Sequence, residues 1–230
     1  MSKGLSSGTN MAVICLALVL AGCASPRTER DVMVDVKAAE ATLAEFQRDP
    51  EMTWLQQNMK NAKAVLVSPM ILKAGFIYGA SGGRGVVLSR GQGNRPWNGP
   101  AFYNVATVSV GLQAGVQSSE VVAMFMTEKA MNTLLSSSFK LGADVSVAAG
   151  PVGIGAGAPV TGDVVVFTRS KGVYGGANLD GTVITIDEKG NSAFYGRSVS
   201  PVDILVKGIM PSARSNDTSL PSLSGMSAQK

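Results

Sequence analysis

Apolar residues along this chain change their period twice, and each change predicts a different kind of element. From Thr28 to Asp49, Val32, Val36, Ala39, Leu43 and Phe46 recur at spacings of 4, 3, 4 and 3 with charges opposite, which is one helical stripe. Pro50 interrupts it and can start a second helix, in which Met52, Leu55, Met59 and Ala62 continue the same period. These faces are expected to pack on a core or, for a helix held near lipid, on a membrane surface. From Lys63 the texture turns to β-branched and aromatic runs punctuated by glycine. Strands are predicted over 63–67, 75–79, 85–90, 103–114, 121–127, 143–148, 164–170 and 173–186. One helix, 128–138, carries Ala130, Met131, Leu134 and Leu135 on one side, and a short closing helix is predicted from Ser200 or Pro201 to Lys207. Runs of strands without βαβ alternation or an internal repeat place the chain in the α+β class, with an antiparallel β-sandwich or barrel-like core and flanking helices.

A third apolar run, Met11 to Leu20, is too short to span a bilayer and ends in Leu20-Ala21-Gly22-Cys23. With Lys3 ahead of it, this reads as a lipoprotein signal peptide over residues 1–22. Cys23 then becomes the acylated N-terminus, and Ala24 rather than Asp at the next position favours outer-membrane sorting, a lipid-anchored place in a bacterial envelope. Residues 23–61 form the tether and amphipathic helices, 62–210 the main domain, and the Ser-rich stretch 211–230 a tail expected to be disordered. Cys15 leaves with the signal, so the mature chain holds no cysteine beyond the acylated one.

The sequence has 45% hydrophobic and 16% charged residues and 27 glycines, which suits a compact core. It has no histidine. That removes Ser-His-Asp and Cys-His catalysis and the commonest metal ligand together. Gly79-Ala80-Ser81-Gly82-Gly83 matches the spacing of a hydrolase nucleophile elbow but has no base to activate Ser81, and is read as a turn. No phosphate loop or dinucleotide fingerprint occurs, so neither an enzymatic activity nor a cofactor is expected.

Charge is distributed unevenly. No acidic residue lies from Met52 to Ser119, while Lys60, Lys63, Lys73, Arg84, Arg90 and Arg95 do, together with Trp97, Phe102 and Tyr103. The stretch suggests a polyanion-binding surface; the alternative is that strand alternation scatters the charges over several faces where each is merely solvated. Nucleic acid is not expected, because no binding motif accompanies the charge. An anionic lipid headgroup fits an exported lipoprotein better.

AKAVLVSP at 62–69, KAGFIYGASGGRGVVL at 73–88, AFYNVATVSVGLQAG at 101–115, LGADVSVAAGPVG at 141–153, SKGVYGGANLDG at 170–181, FYG at 194–196 and SPVDIL at 200–205 together resemble the SYLF domain, a lipid-binding and actin-binding module. The resemblance implies a peripheral phospholipid-binding domain, with phosphoinositides as ligands in eukaryotic relatives and actin binding in fungal ones. The expected ligands are therefore anionic phospholipids or phosphoinositides, with actin or another acidic protein as the alternative partner. The candidate lipid-binding residues are Lys73, Arg84, Arg90, Arg95, Trp97, Arg169 and Lys171, and the lipidation site is Cys23. The family glycines, among them Gly82, Gly83 and Gly85, are read as turn and close-packing positions.

Overall fold

The structure, a computed structural model, describes residues 26–75, 78–91, 97–110, 115–153, 160–170, 173–175 and 181–211. The chain enters through helix α1 (Glu29–Arg48), started by a capping box: Asp31 N–H donates to Thr28 Oγ1, and Thr28 N–H donates to the Asp31 carboxylate at 2.9 Å. The helix ends ahead of Pro50 in a 3-10 turn (Pro50–Met52), followed by α2 (Thr53–Asn58) and a second 3-10 turn (Met59–Asn61).

Among the described residues nine strands then build one sheet: β1 (Ala64–Gly75), β2 (Tyr78–Arg90), β3 (Trp97–Val110), β4 (Gly115–Phe125), β5 (Ser138–Lys140), β6 (Val147–Ala149), β7 (Val164–Ser170), β8 (Val173–Gly175) and β9 (Val183–Ile186). Their order is β5-β9-β3-β2-β1-β4-β7-β6, with β8 also pairing β7, and all pairs are antiparallel except β6 with β7. Helix α3 (Glu128–Thr133) precedes β5, α4 (Glu188–Tyr195) follows β9, and a π-helical turn (Val202–Val206) closes the fold. The core is barrel-like: a single curled sheet, not two stacked ones.

Alternation assigns the two faces. Val67, Val86, Phe102, Val122 and Phe167 share the face covered by α1, α2 and α4, where Trp54 meets Phe167 and Phe194 meets Phe102 at ring-centroid distances of 5.9 and 5.4 Å. All five residues of the predicted α1 stripe are buried here, so that stripe faces the sheet and not a membrane. Leu66, Tyr103, Val105 and Phe125 share the other face. There the Tyr103 hydroxyl donates to the Leu134 carbonyl at 2.5 Å, and Phe125 meets Phe139 edge-on at 6.1 Å. That contact joins β4 to β5 across several intervening strands, which only a curled sheet permits.

Several elements depart from the sequence reading. Predicted strand 63–67 is the start of the longer β1, which passes Ser68-Pro69 by a bulge instead of ending there, whereas predicted strand 75–79 takes in the last residue of β1 and the first two of β2. Predicted strand 143–148 shrinks to β6, and predicted strand 173–186 is two strands, β8 and β9, with Gly181 in a turn ahead of β9. Gly79 to Gly83 lies within β2 and is not a turn. The close-packing reading of Gly83 holds: a Cβ there would stand 2.3 Å from the Met70 carbonyl oxygen, just past the bulge. The predicted helix 128–138 stops at Thr133, and its last residue begins β5. The proposed signal peptide, and the proposed tail beyond Pro211, lie outside the described residues.

Candidate functional site

The candidate lipid-binding residues that the structure describes do not share one face. Cys23, Arg95 and Lys171 lie outside the described residues. Lys73 pairs with Ser81 and Gln117 and points to the face opposite Arg84, since the bulge leaves Met70 and Leu72 in phase with Arg84 and Lys73 out of phase. Arg90 shares Arg84's face but lies six residues along β2, about 20 Å away. It donates to the Met59 carbonyl at 2.8 Å and stacks its guanidinium 4.1 Å from the Trp97 ring centre. Partial burial pulls its pKa down from the usual value. Trp97, half-buried, packs against the core and is no free tip.

Arg169 is the furthest from expectation. Its guanidinium is bracketed by the carboxylates of Glu120, opposite it on β4, and Glu45 of α1, and it lies 5.4 Å from the centre of the Phe46 ring. Glu120 also accepts from Thr42 Oγ1 at 3.1 Å. An arginine so paired fastens α1 to the sheet. The acid-free segment meets acids contributed by other elements, Glu128 at Lys63 and Asp35 at Arg84, and strand alternation separates its cations.

Arg84 is different. Its side chain is 54% exposed, and its Nη1 stands 4.0 Å from Asp35 Oδ2, the outer limit of an ion pair. The same Asp35 oxygen receives Arg27 Nη2 at 2.5 Å, and Arg27 Nη1 stands 3.3 Å from Asp187 at the start of α4. Arg27 is only 8% exposed in its side chain, so the chain just before α1 is fastened to the domain.

Beyond Arg84 the strands outrun the helices. In register across the sheet, Val108 of β3, Ala80 of β2, Ala74 of β1 and Val116 of β4 form an exposed row on the face that α1 covers elsewhere. The next row is Ala106, Gly82, Leu72 and Ser118, and Met70 sits beside Arg84. Val108 is 79% exposed, Val116 67%, Met70 60% and Leu72 49%. Sequence reasoning missed this surface because alternation in β1 is broken by the bulge: a strict period of two carried from Val65 and Val67 through Ser68-Pro69 places Leu72 on the wrong face.

It also missed the polar bracket under β3. Asn191, fully buried, accepts from Phe102 N–H at 2.9 Å and donates to its carbonyl at 3.2 Å, while Asp187 caps α4 through Gly190 N–H at 2.9 Å. The run Gly190-Asn191-Ser192 has low helix propensity, which hid α4 from periodicity. Among the described residues no cluster of His, Cys, Asp and Glu could hold a metal ion, and no helix is long and apolar enough to cross a membrane.

Residues 106–220 match the family described as Ysc84, Las17-binding protein actin regulator. Across 194 residues the chain is 28% identical to LAS seventeen-binding protein 3 of Saccharomyces cerevisiae, covering 79% of this chain and 42% of that one. It is 28% identical over 152 residues to SH3 domain-containing YSC84-like protein 1 of Bos taurus, 64% of this chain and 44% of the relative. Protein YSC84 of Saccharomyces cerevisiae is 29% identical over 154 residues, 64% of this chain and 32% of its own length. The chain therefore spans less than half the length of these relatives.

Proposed function

The chain belongs to the Ysc84 family of Las17-binding actin regulators, and from that premise we propose that it is a lipid-anchored outer-membrane protein whose domain binds anionic phospholipid headgroups without catalysing a reaction. The observation that carries this reading is Arg84. It is a half-exposed guanidinium whose ion pair with Asp35 is long, on the face where the chain enters four residues after Cys23. A headgroup phosphate, or the phosphates of a phosphoinositide, can take two parallel N–H donors from it, which the 4.0 Å contact with Asp35 leaves available. Asp35 itself stays satisfied through Arg27. Non-catalytic action fits a chain without histidine whose Ser81 sits within a strand.

A second reading, an acidic protein partner such as actin, is favoured by the description of the family as actin regulators. One sedimentation series separates the two. The chain from Ala24 onward, which keeps every described residue, is spun with phosphatidylcholine vesicles, with vesicles containing phosphatidylglycerol or a phosphoinositide, and with actin filaments. Headgroup binding requires recovery with the anionic vesicles and not with phosphatidylcholine. Recovery with filaments alone would replace it by the protein-partner reading.

A further inference from the structure

We propose that the exposed apolar rows at the far ends of β1 to β4 insert into the bilayer that holds Cys23, so that the domain lies on the membrane by this end of its sheet; the proposal rests on the lipoprotein reading above. Val108, Ala80, Ala74 and Val116, with Leu72 and Met70 behind them, make one continuous apolar surface across four paired strands. Contiguous apolar surface facing water marks a contact site, unlike single exposed residues.

What covers it follows from the length of chain ahead of α1. Arg27 is held by Asp35 and Asp187, and only Ala24, Ser25 and Pro26 separate it from Cys23. Four residues reach at most about 14 Å even fully extended. Arg27 and Arg84 touch the same carboxylate oxygen, and Gly82 and Ala80 lie two and four residues beyond Arg84 on the same face, about 7 and 13 Å along the strand. An acyl group on Cys23 therefore enters its bilayer within reach of the apolar rows.

The order of chemistry along the sheet matches the order of layers in a membrane. The two rows that follow Arg84 on this face, Ala106-Gly82-Leu72-Ser118 and Val108-Ala80-Ala74-Val116, carry no ionisable side chain, and Arg84 lies at their base. Apolar side chains would occupy the upper hydrocarbon while the guanidinium stays at the level of the phosphates.

Because the mature chain has no other thiol, Val108→Cys provides a unique label site, and Lys207→Cys, 65% exposed beside the closing π-helical turn, provides the control. The full chain is expressed so that it is processed and acylated, labelled with an environment-sensitive nitrobenzoxadiazole, and reconstituted into phosphatidylethanolamine–phosphatidylglycerol vesicles. Insertion requires a blue-shifted emission at position 108, quenching by spin labels placed high on the acyl chains, and at least a fivefold loss of iodide quenching on transfer from detergent to vesicles. The label at 207 should remain open to iodide. Equal iodide quenching at both positions on vesicle-bound protein would overturn insertion and leave the anchor standing. Shielding at position 108 that tracks dimer formation in detergent, without vesicles, would assign the face to a second copy instead. Failure of the underlying reading is seen separately, as an N-terminal peptide mass with no acyl groups on Cys23; without the anchor the proposal falls with it.

Discussion

Arg169 and Glu120 stand opposite one another on β7 and β4, and Glu45 of α1 closes on the same guanidinium, so one cation ties a helix and two strands together. The group looks like surface charge in the sequence and acts as a fastener in the fold. Removing one partner of a largely buried pair leaves the other without compensation.

Arg169→Ala is accordingly expected to lower unfolding stability by about 1–3 kcal/mol, the cost of leaving polar groups unsatisfied, with the share owed to exposed Glu45 reduced by salt and the share owed to part-buried Glu120 reduced less. Glu120→Gln in the same background should recover part of that loss by removing the stranded charge. Urea midpoints of the wild type and the single and double variants measure this. Strictly additive losses would mean that the two groups do not interact.

The bulge in β1 makes a contrast between adjacent glycines. A Cβ on Gly83 would stand 2.3 Å from the Met70 carbonyl oxygen, whereas one on Gly82 would stand 3.7 Å from that of Val105, ordinary contact. Gly83→Ala should therefore cost about 1–3 kcal/mol through forced backbone shift, and Gly82→Ala well under half as much. Similar thermal midpoints for the two variants would contradict the bulge geometry.

Asp163 supplies a pH dependence. It accepts from Ser146 N–H at 3.0 Å, Ser146 Oγ at 2.8 Å and Thr127 Oγ1 at 2.8 Å, which joins the cap of α3 to the start of β7. These hydrogen bonds hold its pKa down at about 2, below the ordinary 3.8. A depressed carboxylate contributes stability that is fully present above its unfolded value and is lost as pH falls through the folded one. Between pH 4.5 and 2 the wild type should lose more stability than Asp163→Ala, so that their denaturation midpoints draw together in acid. A constant gap down to pH 2 would remove Asp163 from this role.

Much of the fold was legible because periodicity is a local property. The α1 stripe, the break at Pro50 and the existence of most strands follow from residue spacing, and the barrel-like alternative of the α+β expectation is the one realised. What was hidden depends on contacts distant in sequence. Asn191 stabilises an unpromising helix only because it meets the backbone of Phe102, 89 residues earlier. The acid-free span reads as one basic surface until folding brings Asp35 to Arg84 and Glu128 to Lys63. The apolar rows emerge only when the bulge beside Gly83 resets the phase of β1.

The most direct measurement is the affinity of the chain from Ala24 onward for phosphatidylglycerol vesicles, compared among wild type, Arg84→Ala and Lys207→Ala at two salt concentrations. Each variant removes one positive charge, and circular dichroism establishes that each is folded. Near an anionic surface one cation contributes about 1 kcal/mol, so headgroup recognition by Arg84 predicts roughly fivefold weaker binding for Arg84→Ala, little change for Lys207→Ala, and weaker binding of the wild type in raised salt. Equal affinity of Arg84→Ala and Lys207→Ala, or wild-type binding indifferent to salt and to headgroup charge, would contradict it.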